Sequence, residues 1–506
     1  MSSQVVKNSV FNILSRGWSI ISLYIFVPLW IKYVGVEGYG VITFYSVLMT
    51  LMHFADAGLS GTLMREFAKV EPSPGYKRDF LRTFETIYLG IALFVFLIVF
   101  VFSGFFVDHF MKSASIPRED LLECVKIMAV IMGLNFMATL YNGGLMGLQK
   151  QILAGSLNIG YSIFRGVIVL IPLMLMPNVK TFILWQLLSM VILFLAERFF
   201  LIREVNKNHE KAFFRIEYFT NVWKYALGLM IMAIVAALNS QLDKLVTGNL
   251  LSLESLGYYS IAGTLGTAVV TVATSLCNAF YPELTRLVSI GDKTQVIKPF
   301  LYFSFAVSVV TSAIGISFFF YCSDLLFIWT RDNAIVDNAS IPAMILVLGN
   351  VVVSLQYSTY YLAMANGHTK TNIILSSCML LVMAPSVYLL TKLFGLNATP
   401  IPYLVVNSMI TVIMAVVLIN KFLKGSLRNW FMNSLMPIFI SLIVVAPLSY
   451  IIKLLVINPY MRIGLACLVG TMCIYITTII YVRINPEVKS SSLMSKFIKL
   501  VPSKWL

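Results

Sequence analysis

Residues 33–40, YVGVEGYG, and residues 251–259, LSLESLGYY, lie in the same setting, each between two long apolar runs. The second glycine of the first segment, Gly38, and the glycine of the second segment, Gly257, are 219 residues apart. Two further segments, GLQK at 147–150 and GHTK at 367–370, each follow a fourth apolar run and begin 220 residues apart. Two matches at nearly one offset predict a chain built from two copies of one half.

The composition is that of an integral membrane protein. Apolar residues make up 59% of the 506 residues and charged residues only 12%, whereas a soluble domain is about 25% charged. Apolar runs of roughly 20 residues recur along the chain, and each can cross a hydrocarbon core of about 30 Å. Because that core offers no water to backbone groups, the runs are expected to be helices. The pattern predicts an all-α polytopic membrane protein with about 14 transmembrane helices.

The predicted organisation follows from the spans and the repeat. Helices 1–6 align with helices 7–12 as two parallel six-helix bundles, and two further helices follow. The predicted domains are residues 1–210, 211–425 and 426–506. The predicted spans are 10–31, 41–62, 84–106, 124–146, 153–175, 179–200, 223–247, 257–281, 299–320, 341–364, 370–391, 399–420, 434–455 and 461–482.

The basic residues predict the orientation of these spans. With both termini in the cytoplasm, 26 of the 37 Lys and Arg residues fall in cytoplasmic segments and 9 in outer segments. This bias follows the positive-inside rule. The net charge of +15 therefore reflects topology, and the sequence offers no basic soluble domain that would bind nucleic acid.

Several other classes of function are disfavoured by the sequence. The connections are short, and no G-x-x-x-x-G-K-[ST] motif for ATP binding occurs. The six cysteines form no C-x-x-C pair, so they predict neither a disulfide framework nor a metal site. We expect a protein that is not an enzyme and that uses no cofactor.

Polar side chains follow one face of several apolar helices. A shift of 221 residues relates a stripe in the second helix to one in the eighth, which favours a water-accessible cavity between the halves over ordinary hydroxyl contacts between helices. The first helix adds Asn12 and Arg16, and the seventh adds Asn239 and Asp243. The two stripes are Thr43, Ser46, Thr50 and His53, and Thr264, Thr267, Thr271 and Thr274, the latter continuing to Asn278.

Ionisable residues inside a membrane are costly, about 2.5–3.5 kcal/mol for Arg at a helix centre. Arg165, near the middle of the fifth helix, is the best candidate for an anion contact. Its alternative is a buried pair with a carboxylate on a neighbouring helix. Arg16 is a second candidate, and its alternative is extension of the side chain to the cytoplasmic interface.

His53 and Asp56 lie three residues apart in the second helix and could carry a proton or cation. Asp56 could instead cap the segment 57–69, and Asp243 could form an interfacial pair with Lys244. The candidate ion-coupling residues are Asp56 and Asp243. The candidate substrate-binding residues are Asn12, Arg16, His53, Arg165, Thr267, Thr271 and Asn278.

An ordered set of short motifs suggests a family. The motifs are Gly35-Val36-Glu37-Gly38-Tyr39-Gly40, Asp56-Ala57-Gly58-Leu59-Ser60, Arg65, Gly144-Leu145-Met146-Gly147-Leu148-Gln149, Asp243-Lys244, Leu256-Gly257-Tyr258-Tyr259-Ser260-Ile261-Ala262 and Pro282-Glu283-Leu284. In this order the chain resembles the Wzx-type polysaccharide flippases (O-antigen or capsule) of the multidrug/oligosaccharidyl-lipid/polysaccharide exporter superfamily. The resemblance covers helices 1–12, and the extra pair resembles the fourteen-helix lipid II flippase branch.

The resemblance implies a MATE-like fold, two six-helix bundles in a V with a cationic central cavity. It implies translocation of undecaprenyl-diphosphate-linked oligosaccharide units to the outer leaflet of the bacterial inner membrane, by alternating access. The implied partners are that lipid-linked substrate and the phospholipid membrane, with the polysaccharide polymerase machinery as a candidate. A pseudo-twofold monomer needs no second copy.

Three alternatives remain. A cation-coupled drug antiporter of the same superfamily would favour an acidic cavity, whereas Arg165 is the deepest ionisable group in the predicted helices. A membrane-bound sugar polymerase or ligase would need a large outer loop with catalytic residues. A purely structural anchor would leave the matching polar stripes unexplained.

Overall fold

The computed structural model describes residues 3–69, 75–206, 211–220 and 223–485, and every regular element in these ranges is a helix. Side chains are described except at 3–21, 23, 54–55, 57, 224–229 and 231–232. A π-helical turn, Phe164–Ile168, joins α5 and α6. The helices are α1 (Ser3–Ala68), α2 (Tyr76–Val101), α3 (Ser103–Phe110), α4 (Arg118–Gly147), α5 (Gln151–Ile163), α6 (Leu170–Leu175), α7 (Val179–Val205), α8 (Ile216–Thr220), α9 (Trp223–Leu250), α10 (Leu253–Ser289), α11 (Lys293–Phe320), α12 (Cys322–Thr330), α13 (Asn333–Ala365), α14 (Lys370–Phe394), α15 (Ile401–Phe422), α16 (Leu427–Leu455) and α17 (Pro459–Ile484).

The helices agree with an all-α polytopic membrane protein. Within the described ranges, 12 helical segments are long and apolar enough to cross a membrane. The α1 helix covers the first two predicted spans. Its backbone leaves the helical conformation at Gly35 (φ 73°, ψ 173°), and this kink separates the two spans. The α9 helix has 28 residues and corresponds to the predicted seventh span. With α1 divided at Gly35 and α9 included, the helices account for the fourteen predicted spans.

The chain divides into two compact units, Met1–Gly257 and Tyr258–Leu506. In the first unit, α1 packs against α4, α5 and α9, and α4 packs against α2 and α7. In the second unit, α11 packs against α13, α16 and α17, and α13 packs against α15. The last two helices, α16 and α17, are therefore part of the second unit, and α9 is part of the first.

Aromatic side chains attach the last two helices to the rest of the second unit. Tyr481 of α17 stacks on Phe305 of α11 with ring centroids 3.7 Å apart. Trp430 of α16 is 1% exposed, and its indole N–H donates to the hydroxyl of Ser358 in α13 (3.2 Å). Buried rings with a satisfied N–H contribute both apolar burial and orientation. The two additional helices are thus anchored to α11 and α13.

The two halves share the position of a helix break. The helical path of α2 and α3 is interrupted at Phe102 (φ −89°, ψ 16°), and that of α11 and α12 is interrupted at Tyr321 (φ −106°, ψ 20°). The two residues are 219 apart. The same local backbone at the same offset is what a duplicated half predicts.

The ends of α4 and α13 also correspond, but with a different register from the predicted one. The last turn of each helix is closed by the same type of backbone hydrogen bond. Lys150 N–H donates to Leu145 C=O (2.9 Å) after α4, and His368 N–H donates to Ala363 C=O (2.9 Å) after α13. The residue before each donor is left-handed, Gln149 (φ 59°) and Gly367 (φ 64°). This is a Schellman-type end, and it repeats at an offset of 218, so the predicted pairing of Gly147 with Gly367 is wrong.

The repeated segments contact each other within the first unit, between residues 36–40 and 253–257. A β-carbon added to Gly40 would overlap the carbonyl oxygen of Leu253, and one added to Gly257 would lie 2.5 Å from the carbonyl oxygen of Val36. Only glycine allows two backbones to approach this closely. A contact between the two copies of the motif therefore explains Gly40 and Gly257.

We expect Gly40→Ala to lower the thermal stability of the detergent-purified protein, because overpacking a close backbone contact costs about 1–3 kcal/mol. The measurement is the temperature at which half of the protein stays monodisperse in size-exclusion chromatography. The matched control is Gly90→Ala in α2, where no atom lies within 4 Å of the added β-carbon. Equal stability of the two variants would contradict the role given to this contact.

Candidate functional site

The first unit contains an open polar cavity of about 750 Å³, lined by α1, α4, α5, the π turn and α7. This volume is in the range of small-molecule sites, about 300–1,000 Å³. Its lining mixes hydroxyl, amide and ionisable groups with a few apolar side chains. The polar and ionisable lining residues are Tyr45, Ser46, Thr50, His53, Asp56, Ser60, Asn135, Thr139, Asn142, Asn158, Tyr161, Arg165 and Glu197.

The predicted stripe of the second span lies on the cavity wall. Ser46, Thr50 and His53 all line the cavity, because their spacing places them on one face of α1. Ser46 and Thr50 donate their hydroxyls to carbonyls one turn earlier, at 2.9 and 2.8 Å. Each hydroxyl oxygen keeps acceptor capacity for a ligand. Thr43 is 3% exposed and does not reach the cavity.

Arg165 faces this cavity from the π turn. Its guanidinium carbon lies 5.3 Å from the ring centroid of Tyr161, and Nη1 is 3.4 Å from the Tyr161 hydroxyl oxygen. Among the described residues it forms no ion pair with a carboxylate, which argues against the alternative of a buried Arg165–carboxylate pair. A ring face and a hydroxyl leave most of its five N–H donors available to an anion.

Two carboxylates line the same cavity. Asp56 is 2% exposed and accepts a 2.5 Å hydrogen bond from the Tyr88 hydroxyl. Glu197 is 1% exposed; its Oε1 accepts from the Asn142 amide (2.7 Å), and its Oε2 is buried without a hydrogen-bond partner. The α1 helix runs through Asp56 without interruption, so the prediction that Asp56 caps a new helix is wrong.

Glu197 and the amides of α4 were not singled out by the sequence reasoning. Asn135, Thr139 and Asn142 are spaced by four and three residues, which puts them on one face of α4, and all three line the cavity. This is the same type of stripe that pointed to α1. Glu197 lies inside an apolar run, and a carboxylate in such a position is itself a signal. The sequence argument against a cation-coupled antiporter, that Arg165 is the deepest ionisable group, is therefore weakened, because two carboxylates line the same cavity.

None of the other predicted site residues whose side chains are described lines this cavity. Asn12 and Arg16 fall in the part of α1 whose side chains are outside the described residues. Asp243, in α9, accepts a hydrogen bond from the backbone N–H of Lys244 (2.9 Å). In the second unit, Thr267 and Thr271 donate to carbonyls of their own helix, and Asn278 accepts from the Tyr361 hydroxyl (2.6 Å).

Comparisons with known proteins agree with these features. Residues 5–288 match the family model described as polysaccharide biosynthesis protein. A Shigella flexneri protein named as a candidate O-antigen transporter is 19% identical over 404 residues, which is 79% of this chain and 94% of that protein.

Solved structures show the fold. The lipid II flippase MurJ in an inward closed conformation superposes with a TM-score of 0.71 at 17% identity, covering 94% of this chain and 99% of that one. An inward-facing multidrug transporter of the MATE family has a TM-score of 0.60 at 13% identity, with 81% and 94% covered. These relatives are transporters and flippases rather than catalysts, as the sequence led us to expect. The chain belongs to the polysaccharide biosynthesis protein family.

Proposed function

We propose that this protein is a flippase for undecaprenyl-diphosphate-linked oligosaccharide repeat units. It moves them from the cytoplasmic to the outer leaflet of the bacterial inner membrane by alternating access, for the synthesis of O-antigen or another surface polysaccharide. The observation that carries the proposal is Arg165, a guanidinium with no carboxylate partner among the described residues, in a cavity lined by hydroxyls and amides.

The chemistry of the cavity suits both parts of such a headgroup. An unpaired ion in hydrocarbon is very costly, so a diphosphate needs a cation along its path. A guanidinium can donate two parallel hydrogen bonds to phosphate oxygens. Hydroxyl and amide groups such as Ser46, Thr50 and Asn158 can exchange hydrogen bonds with sugar hydroxyls. The lipid tail can stay in the hydrocarbon layer, since it gains nothing from a polar cavity.

The remaining predicted residues enter as further contacts. Arg16 is proposed as a second phosphate contact and Asn12 as a sugar contact. In the second unit, Thr267, Thr271 and Asn278 are proposed as sugar contacts, although their described hydrogen bonds are to their own unit. We also propose that both termini are cytoplasmic, on the strength of the positive-inside bias.

Asp56 and Glu197 are proposed as the ion-coupling residues, with Asp243 as the alternative. The carboxylate oxygen Oε2 of Glu197 is buried without a partner, and such a group gains a great deal from binding a proton or a small cation. Asp56 also lines the cavity, where Tyr88, Ser60 and Thr139 are its hydrogen-bonding neighbours. Ion binding at these two groups would then change the charge that the substrate meets.

The two carboxylates also favour a second candidate function, a cation-coupled antiporter of small cationic molecules. In that case Asp56 and Glu197 would attract the substrate directly, and Arg165 would repel it. The two candidates therefore make opposite assignments to the same three residues.

We expect Arg165→Ala to slow the movement of a fluorescent undecaprenyl-diphosphate oligosaccharide across proteoliposomes by at least about tenfold. A hydrogen bond to a charged group is worth about 1.5–3 kcal/mol, and 1.4 kcal/mol corresponds to about tenfold. Arg165→Lys should lie between the wild type and the Ala variant, because it keeps the charge and loses the planar fork. The readout is exposure of the label to a membrane-impermeant quencher.

The matched control is Lys126→Ala. Lys126 is an exposed cation in α4, over the ring of Phe100 at 5.6 Å, and it does not line the cavity. Movement by Arg165→Ala at the wild-type rate would refute the diphosphate contact. If movement is absent for several glycans and the protein instead exports small cationic dyes, the antiporter is the better assignment.

We expect Asp56→Asn and Glu197→Gln to abolish the stimulation of translocation by an imposed ion gradient. A tenfold proton gradient corresponds to about 1.4 kcal/mol per proton, and an amide cannot take up that proton. Rates should be measured under separate proton, sodium and potential gradients, with Asp108→Asn as the control, because Asp108 pairs with Arg118 outside the cavity. Full gradient stimulation in both variants would exclude these two residues from coupling.

A further inference from the structure

The helix that carries Arg165 departs from α-helical geometry at Arg165 itself. A five-residue π turn, Phe164–Ile168, separates α5 from α6. Such wide turns are rare, have weaker internal hydrogen bonding and occur often at functional sites. Pro172, with no backbone N–H, follows a turn later in α6 and weakens the regular ladder on that side.

Three consecutive carbonyl groups of the π turn accept hydrogen bonds from side-chain N–H groups of neighbouring helices. The donors belong to α7 and to the first segment of α1. The contacts are Trp185 Nε1 to the carbonyl of Phe164 (2.8 Å), Gln186 Nε2 to that of Arg165 (3.1 Å) and Trp30 Nε1 to that of Gly166 (3.1 Å).

The side-chain amide of Gln186 is used only as a hydrogen-bond donor. Its side chain is fully buried, and its Oε1 atom has no hydrogen-bond partner. A buried unsatisfied polar atom costs about 1–3 kcal/mol, so this residue is kept at a cost, and what it offers is an N–H to the carbonyl of Arg165. Trp185 adds a stacked contact with Phe164 (4.9 Å between centroids), which fixes the same turn through its side chain.

The second half of the chain shows that the fold does not need this turn. The α14 helix has 25 residues, as does the segment Gln151–Leu175, and an offset of 219 aligns both ends. At that offset Ala384 and Pro385 replace Arg165 and Gly166, and α14 is a continuous α-helix. The π turn and the arginine therefore occur together in one half and are both missing from the other.

We propose that Trp30, Trp185 and Gln186 are positioning residues that hold the π turn and thereby aim Arg165 into the cavity. One residue of α-helix corresponds to a rotation of about 100°. If the turn lost its extra residue and became a regular helix, one flank would rotate by that angle relative to the other, and Arg165 would leave the cavity wall. The effect on transport rests on the proposed function, whereas the effect on geometry does not.

The geometric test uses variants that remove an N–H and keep most of the volume, Trp185→Phe combined with Gln186→Met. The matched control is Trp430→Phe, which removes another buried indole N–H, the one that donates to Ser358 within the second unit. We expect cryo-electron microscopy of the double variant in nanodiscs, with a bound antibody fragment, to show a regular helix through 164–168 and Arg165 turned away. An unchanged π turn with Arg165 in the cavity would overturn the proposal.

The energetic test is a double-mutant cycle with inorganic pyrophosphate as the probe, measured by calorimetry on the purified protein. If the α7 donors act through Arg165, the combined variant should weaken pyrophosphate binding by about fivefold or more. In the Arg165→Ala background the same change should have an effect below about 1.5-fold, because coupled residues are not additive. Equal losses in both backgrounds would overturn the positioning role.

The two tests separate the two proposals. Loss of the π turn together with unchanged lipid-linked oligosaccharide transport in Arg165→Ala would support the positioning residues and refute the diphosphate contact. Slow transport in Arg165→Ala together with a π turn that persists without its donors would do the reverse.

Discussion

A backbone polar group in the hydrocarbon layer must find its hydrogen-bond partner within the protein, and that constraint explains how the chain tolerates an irregular helix at Arg165. At the ends of α4 and α13, left-handed residues close the last turn with bonds to the preceding carbonyls. Where the helix of Arg165 widens into a π turn, indole and amide N–H groups from α1 and α7 supply extra partners. Departures from the α-helix occur where partners are available, and one such departure carries the cation of the cavity.

The fold was largely predictable from the sequence because hydrophobic length and repetition are local signals. The apolar runs located the helices, and the repeated segments at 33–40 and 251–259 identified the duplication. The structure adds the reason for Gly40 and Gly257, a close backbone contact that no spacing rule describes. The pairing of Gly147 with Gly367 failed because it matched letters, whereas the repeated feature is a left-handed helix end that Gln149 and Gly367 share.

The site was predictable only in part. Helical periodicity was enough to place Ser46, Thr50 and His53 on one wall, and the cost of a charge in the membrane was enough to single out Arg165. Glu197 could have been found by the same criterion of cost. The π turn could not, because it depends on Trp30, which lies 136 residues away from Gly166 in sequence. Contacts of that range are set by tertiary packing, and a single sequence carries no local signal for them.

The charges of the cavity connect binding to release. A guanidinium that held a diphosphate without competition would load well and unload slowly, since a site used for transport must bind firmly enough to accept its substrate and loosely enough to let it go. Asp56 and Glu197 line the same cavity as Arg165. In their ionised form the two carboxylates compete with a phosphate for the Arg165 guanidinium. A bound ion that neutralises the two carboxylates would strengthen anion binding at Arg165. Release of that ion would weaken it. The same three groups would thus support either an anion carrier or a cation carrier, depending on which of them meets the substrate, so the orientation of the Arg165 side chain is the structural feature that separates the two candidate functions.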